Sequence, residues 1–257
     1  NTSGVLFNTP VGRSSGFGEV IANVANIQNR GLELDLNAEF INNKKFQWSG
    51  GLNISRNRSK VLKLSNVSPD LSNPGVYTFG NAVLKIGEPL GLLYGVPSLG
   101  VINTKEELEA YKAVDMLYQW GANPYLTIGS PKYEHDAEGY NKKDIIGRAE
   151  PKFYGGYTNT VSYKNFSLSS LFTFSYGGDI LYLRDAMNKQ VTNLTNKGTR
   201  ILDRWTPDNV DSSRPKLAYL VSLVNSTPSS DDVYDASYIK LKSVTLNYQL
   251  PLFTHQF

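Results

Sequence analysis

The chain has 257 residues, a formal net charge of +3, no cysteine and 12% aromatic residues. So small a charge gives no argument for nucleic acid as a partner, and the lack of cysteine excludes disulfides, thiol catalysis and cysteine-ligated zinc. No apolar run approaches the roughly 18 residues that a membrane-spanning helix needs. Many aromatic residues together with a negative mean hydropathy are typical of a transmembrane β-barrel, where only every second strand residue faces lipid.

The first part of the chain predicts a loop followed by a hairpin. Residues 1–16 are rich in Gly, Ser and Thr and predict a loop, and residues 17–28 are weakly strand-like. Over 31–56, apolar and polar residues alternate on both sides of a short polar turn at 42–45. Since successive side chains of a strand point to opposite faces, this pattern predicts two strands with one apolar and one polar face.

We predict that the two faces of this hairpin meet different surroundings. The apolar residues are predicted to face lipid, and they are Leu32, Leu34, Leu36, Phe40, Phe46, Trp48, Leu52 and Ile54. The polar residues are predicted to face a water-filled lumen, and they are Glu33, Asp35, Asn37, Glu39, Gln47 and Asn53. Simple wetting of a wall is the preferred role for any single member of the polar set.

The middle of the chain predicts short elements between long loops. Residues 57–81 begin apolar and become loop, and two short strands are predicted within 83–96. Thr104 and Glu107 form a capping box, which starts a helix that ends near Val114. Residues 117–150 read as a long polar loop.

A second hairpin and a final strand repeat the alternation. The hairpin runs from 153 to 176 and turns at 164–165, with Phe172 and Phe174 on its apolar side. Residues 177–235 form another long excursion, with helical patterns in 180–189 and 197–205. The last strand is predicted over 238–250, with Leu246 and Tyr248 on the apolar, lipid-facing side.

Connection lengths favour a barrel over a soluble sandwich. Both hairpins have tight turns with aromatic residues beside them, while the connections at the opposite strand ends are long. Outer-membrane barrels combine short periplasmic turns, long outer loops and aromatic girdles. A soluble β-sandwich also alternates, but connections of thirty to sixty residues are unusual there. The predicted fold class is therefore all-β: a segment of a large antiparallel transmembrane barrel whose long extracellular loops contain short helices.

A series of motifs carries a family resemblance. In chain order they lie at 29–34, 86–91, 94–95, 146–147, 151–156, 163–166, 176–180, 204–209 and 236–242. Their shared order, from about residue 28 to 251, resembles the C-terminal barrel region of the SusC/RagA family of TonB-linked outer-membrane proteins.

The resemblance implies a function and its partners. Members of the family are barrels closed by an N-terminal plug, powered by TonB, covered by a SusD-like surface lipoprotein, and used to import oligosaccharides or peptides. It implies that residues 1–257 are part of one barrel domain in the outer membrane of a Gram-negative bacterium. The plug, the signal peptide, the TonB box and the final strands are expected to lie outside these residues, and the lumen-facing set could also dock the plug.

Two further features suggest ligands. Glu134, Asp136 and Glu138 match the first, third and fifth positions of a calcium loop, but no acid falls at position 12. A solvated acidic turn is the favoured reading, with calcium as the alternative and no other cofactor expected. Trp120 and Trp205 lie in long loops and could stack on sugar rings, or could equally pack the loops into a rigid cap.

No residue is predicted to be catalytic, so the chain is read as part of a carrier. The alternative from another class is a soluble β-rich module that binds carbohydrate or mediates adhesion. An outer-membrane enzyme barrel is a third option, and the missing catalytic set counts against it.

Overall fold

A computed structural model describes residues 1–10, 16, 18–64, 76–183, 196, 198–217 and 228–250. Described strands and helices follow in chain order: β1 (Thr2–Pro10), β2 (Glu19–Asn42), β3 (Phe46–Leu64), β4 (Val76–Phe79), β5 (Ala82–Lys85), β6 (Leu92–Gly95), β7 (Ser98–Val101), α1 (Lys105–Val114), α2 (Met116–Gln119), β8 (Pro131–Tyr133), β9 (Asp144–Arg148), β10 (Phe153–Tyr163), β11 (Phe166–Tyr176), β12 (Asp179–Leu181), β13 (Val233–Asp235) and β14 (Tyr238–Tyr248). Two short 3-10 helices, Thr199–Asp203 and Ser230–Asp232, complete the description. Among these residues no helix is both long and apolar enough to cross a bilayer.

The main sheet has six antiparallel strands in the order β1-β2-β3-β10-β11-β14. Tight turns join β2 to β3 and β10 to β11, whereas the connections from β3 to β10 and from β11 to β14 are long. Lys164, in the turn between β10 and β11, has a φ of 51°. The all-β fold class and both predicted hairpins are confirmed, while the described part of the sheet does not close into a barrel.

The long connection between β3 and β10 folds into a module of its own at one end of the main sheet. It contains a four-stranded sheet, β4-β5-β6-β9, and the pair β7-β8. The four-stranded sheet packs on the extended ends of β2 and β3, where Val24, Ile27 and Val61 are buried with Tyr77 and Leu84. This burial explains why β2 and β3 run 24 and 19 residues, well past their neighbours.

A second apolar cluster holds the helix against the β7-β8 pair. Ile102, Leu108 and Leu126 are buried there together with Tyr111, whose hydroxyl accepts a hydrogen bond from the backbone N–H of Tyr133 at 2.9 Å. Burial raises the pKa of both tyrosine hydroxyls. The predicted helix start is confirmed, because Thr104 Oγ1 accepts from the backbone N–H of Glu107 at 3.1 Å.

Several sequence predictions were wrong about the loops. The predicted loop 1–16 contains β1, and the first hairpin continues to Leu64 instead of ending at 56. The predicted polar loop 117–150 contains α2, β8 and β9. These strands are short or irregular and form through partners distant in sequence, so no local alternation marks them.

Of the two helical patterns predicted in 177–235, the first is wrong at 180–181, where a strand forms, and the second is confirmed in part as a short 3-10 helix. Residues 179–181 form strand β12, and 199–203 form a 3-10 helix. The rest of the first pattern, from 184 onward, lies outside the described residues.

Candidate functional site

Strand register gathers the polar set on one face of the main sheet. Glu33 pairs with Ser55, Asp35 with Asn53, and Glu39 with Ser49. Directly paired residues of antiparallel strands project to the same face. The row continues on β10 and β11 with small residues, interrupted by Leu171 and Tyr154. The small residues are Gly156, Thr158, Thr160, Ser162, Ser167, Ser169, Thr173 and Ser175.

Small side chains open a shallow concavity of about 590 Å³ on this polar face. Asp35 and Glu39 of β2 form one side of it, and Thr158 and Thr160 of β10 form the other. Gly51 lies between them, and a Cβ there would come 2.7 Å from Oδ1 of Asn37. The missing side chain at Gly51 therefore leaves room for water or solute against a wall that carries two carboxylates.

Hydrogen bonds along the polar face fix its side chains. The Asn37 amide donates to Asp35 Oδ1 at 2.8 Å, and the Asn42 amide donates to Glu39 Oε2 at 2.9 Å. Asn53 Oδ1 accepts from the backbone N–H of Gly156 at 2.7 Å, which ties β3 to β10 on this face. Such a wall offers many donors and acceptors to hydrated solutes.

The predicted lipid-facing residues lie together on the opposite face. Leu34 pairs with Ile54, Leu36 with Leu52, and Phe172 with Leu241. Many members of this face are exposed to solvent in the isolated chain, including Leu32 (77%), Leu36 (52%) and Leu246 (67%). No second layer of the described chain buries these three residues, so the face has no protein partner of its own there.

Aromatic side chains border this apolar face at both strand ends. Next to the short turns, the Phe40 and Trp48 rings lie 4.6 Å apart, and the Phe166 and Tyr248 rings also lie 4.6 Å apart. At the loop end, Phe153 stacks on Tyr176 at 5.1 Å. Between the two rows, aliphatic residues of β2, β3 and β14 lie beside Tyr157, Phe172 and Phe174.

Asn159 is a polar residue within this apolar face, beside its cross-strand partner Ser170. It pairs with Gly50, between Trp48 and the Phe40 ring, and its Oδ1 accepts from the Trp48 indole N–H at 2.7 Å. A Cβ at Gly50 would come 2.9 Å from Cε2 of Phe40. The indole thus satisfies the amide oxygen, and the glycine makes room for the ring. Sequence reasoning did not identify this pair.

The two candidate tryptophans differ in their surroundings. Trp120 is 68% exposed, and its ring meets Tyr140 edge-on at 5.6 Å. Trp205 donates its indole N–H to Asn103 Oδ1 at 2.7 Å. A Cβ at Gly129 would come 2.7 Å from the Trp205 ring. Trp205, from the connection between β11 and β14, is therefore fixed against the module formed by the β3–β10 connection, which we call the loop module. Trp120 presents an exposed aromatic surface.

The structure does not bring the calcium-like acids together. Asp136 Oδ1 accepts from the backbone N–H groups of Glu138 and Tyr140, and Glu134 pairs with Lys142 at 2.9 Å. That hydrogen bond raises the pKa of Lys142, and the charge of Glu134 raises it further. In the described part of the chain no three His, Cys, Asp or Glu residues are grouped to hold a metal ion. Calcium binding thus stays a prediction without geometric support.

An antiparallel sheet with one polar face and one exposed, aromatic-bordered apolar face is the wall of a β-barrel. Comparison with solved structures agrees with this fold. The RagAB peptide transporter is similar with a TM-score of 0.67 and 23% identity, over 97% of this chain and 26% of that one. The RagAB peptide importer in its closed-closed state is similar with a TM-score of 0.66 and 21% identity, over 97% and 26% of the two chains.

Curated relatives show a clear sequence relationship. TonB-dependent receptor P26 of Formosa agariphila is 30% identical over 98% of this chain and 25% of its own length. TonB-dependent receptor P3 of the same organism is 30% identical over 97% of this chain and 24% of its length. The predicted resemblance is thus confirmed, since the chain is homologous to TonB-dependent receptors over nearly its whole length. It spans about a quarter of the length of these relatives, and no protein-family model matches it.

Proposed function

We propose that this chain forms part of the wall and outer loops of an outer-membrane importer driven through TonB. The observation that carries the proposal is the exposed apolar face, which a soluble protein would cover and a bilayer would solvate. Ten residues separate its two aromatic rows, from Phe153 to Tyr163 on β10. At ~3.3 Å per residue and a tilt near 45° they span roughly 23 Å, close to the apolar band of outer-membrane barrels.

In this proposal the polar face lines the lumen and the loop module sits over the outer mouth. The loop module packs through Ile27 and Val61, which lie on the continuation of the polar face along β2 and β3. This contact lies on the lumen side of the strands. The function is carriage without bond chemistry: solute enters through the loops, and movement of a plug elsewhere in the protein opens the route.

Peptides or oligosaccharides are the proposed substrates, delivered with the help of a SusD-like surface lipoprotein. The similar structures are those of a peptide transporter and a peptide importer, which supports the peptide class. Family resemblance supports both classes and the lipoprotein partner. We assign Trp120 a role in substrate contact, because its exposed ring suits stacking on a sugar or on a peptide side chain.

An uptake assay tests this proposal. Cells lacking the gene should lose import of a labelled peptide or oligosaccharide mixture, and the wild-type gene should restore it. Trp120→Ala should lower uptake several-fold at unchanged protein level in the outer membrane. Unchanged import in the deleted strain, across both substrate classes, would contradict the proposal.

The soluble binding or adhesion module is not proposed. In a soluble module, water would surround a broad apolar surface that includes Leu246 and Ile239, and Ile239 is 82% exposed. Such surfaces drive aggregation.

A further inference from the structure

A cluster of four cationic side chains surrounds a cavity of about 300 Å³ where β2 and β3 extend beyond β10. Arg30 and Arg58 pair directly in the strand register, and Lys60 pairs with Gln28 one step further on. Arg148 at the end of β9 completes the set, and Gln28, Ser59 and the turn at Gly87 and Pro89 line the remainder. We call these four residues, Arg30, Arg58, Lys60 and Arg148, the basic cluster.

The described carboxylates beside the basic cluster accept hydrogen bonds from backbone N–H groups and not from its side chains; Asp179 Oδ2, for example, accepts from the backbone N–H of Arg148 at 2.8 Å. None of its members forms an ion pair within the described part of the chain. Nη1 of Arg58 is buried and has no hydrogen-bond partner. The neighbouring acid Glu150 accepts from the backbone N–H of Ser59 through Oε1 at 2.9 Å, while its Oε2 is buried without a hydrogen-bond partner. A buried guanidinium N–H without an acceptor is costly, so an anion bound here would stabilise the protein.

The cluster lies on the apolar face, just beyond the band proposed to contact lipid. Leu32 pairs with Arg56 at the edge of this band, and Arg30 and Arg58 form the next pair on the same face. On β10 the band ends at Phe153, which stacks on Tyr176. The cations therefore follow directly after the aromatic row at the loop end, about 7 Å along the strands from Leu32.

Glu150 lies on the other side of the same strands. It lines a separate cavity with Asn29 and Asn57, whose side chains alternate with those of Arg30 and Arg58. The Glu150 carboxylate therefore lies on the opposite face of these strands from the cavity of the basic cluster. Glu88, in the turn beside Gly87, contributes its backbone oxygen to the N–H of Val61 at 2.9 Å.

We infer that the basic cluster binds phosphate groups on the headgroup of the anionic glycolipid in the outer leaflet. The inference rests on the proposed function, because the cluster lies at the level of lipid headgroups only if the sheet is part of a membrane-embedded barrel. Long loops mark the outer side of such barrels, and the cluster is at the loop end. Arginine pairs bind phosphate oxygens in a bidentate manner, and basic residues at this level attract anionic lipid.

The test compares glycolipid bound to the intact protein after purification from outer membranes. The triple variant Arg30→Gln, Arg58→Gln, Lys60→Gln should retain at least about tenfold less lipopolysaccharide by native mass spectrometry. The matched control Lys44→Gln, Lys45→Gln, Lys164→Gln removes the same charge from the short turns at the opposite end, where all three lysines are exposed. It should retain as much glycolipid as the wild type.

Added ligands distinguish the source of the phosphate. Phosphorylated lipopolysaccharide should raise the thermal midpoint of delipidated wild-type protein, whereas its dephosphorylated form and inorganic phosphate should not. Equal retention by the triple variant and the wild type would overturn the inference, as would equal losses in both triple variants or an equal response to inorganic phosphate. If the triple variant does not fold, the single variants Arg30→Gln and Lys60→Gln, both at exposed positions, replace it. Each should retain less glycolipid than the wild type. Full glycolipid retention by both single variants would overturn the inference.

The proposed function and this inference fail in different ways. Wild-type protein absent from the outer membrane contradicts both. Wild-type protein that inserts and imports, but binds glycolipid independently of the cluster, contradicts only the inference.

Discussion

Leu36→Arg should destabilise the membrane-inserted protein by about 2–4 kcal/mol, the cost of arginine near the middle of the lipid-facing side of a barrel. Leu36 is 52% exposed in the isolated chain and pairs with Leu52 in the middle of the apolar face. In water, a charge at so exposed a position would cost little. The large effect is therefore expected only if lipid surrounds this face, and equilibrium unfolding of the intact protein from liposomes measures it.

Asn37→Arg is the matched control for this substitution. Asn37 follows Leu36 on the same strand, and its amide reaches Asp35 on the polar face. An arginine there would enter a polar wall between the carboxylates of Asp35 and Glu39, so a change within about 1 kcal/mol is expected. Equal effects of the two variants would show that the faces do not differ in their surroundings.

Gly155→Ala should be the most damaging single methyl addition in the main sheet, with a loss of about 2 kcal/mol or more. A Cβ at this position would overlap the backbone carbonyl of Asn53 and lie 2.8 Å from Cζ of Phe174. The carbonyl cannot move without shifting β3 away from β10. Assembly into outer membranes, followed by heat-modifiable mobility on gels, should show a reduced folded fraction.

Gly156→Ala provides the comparison one residue along β10. A Cβ there would meet its nearest atom, the backbone oxygen of Phe172, at 3.3 Å, which small adjustments accommodate. Folded protein close to the wild-type level is expected for Gly156→Ala. A Gly155→Ala protein that assembles equally well would contradict the close approach of β3 and β10 at this point.

Local alternation was sufficient to predict the two hairpins and the faces of their strands. β10 and β11 begin and end at the predicted residues, because apolar and polar residues alternate there with little interruption and the turn lies between them. The two predicted sets of the first hairpin also share their faces as expected. Period-two patterns carry this information without any partner.

Pairing between distant segments could not be predicted in the same way. β1 contains Gly4 at a φ of 71° and shifts register against β2, so its sequence shows no regular alternation. β8 and β9 are three and five residues long, too short to form a pattern. Their existence depends on β7 and β6, which precede them by thirty residues or more.

Two breaks in the alternation carried a signal that sequence reasoning did not use. Phe40 and Ile41 are consecutive apolar residues, and the register of β2 shifts there, so that Ile41 joins the apolar face opposite Trp48. Lys242 and Ser243 are consecutive polar residues, and β14 shifts between Leu241 and Ser243. In both cases a bulge restores the apolar face after the break.

The basic cluster was missed for a different reason. Arg30 and Arg58 come together only through the register of β2 and β3, and Arg148 joins them from β9. In the sequence they look like ordinary scattered surface charges, and only the fold shows that they share one cavity beyond the apolar band.

Spin labels on single cysteines at Leu34, Asp35, Leu36 and Asn37 test the central claim most directly. The chain has no cysteine of its own, so each label reports one position once the intact protein is reconstituted in a bilayer. Labels at 34 and 36 should collide mainly with dissolved oxygen, which concentrates in lipid. Labels at 35 and 37 should collide mainly with a water-soluble nickel chelate. Equal nickel accessibility at all four positions, or the reverse order, would contradict a sheet whose apolar face meets acyl chains while its polar face lines a lumen.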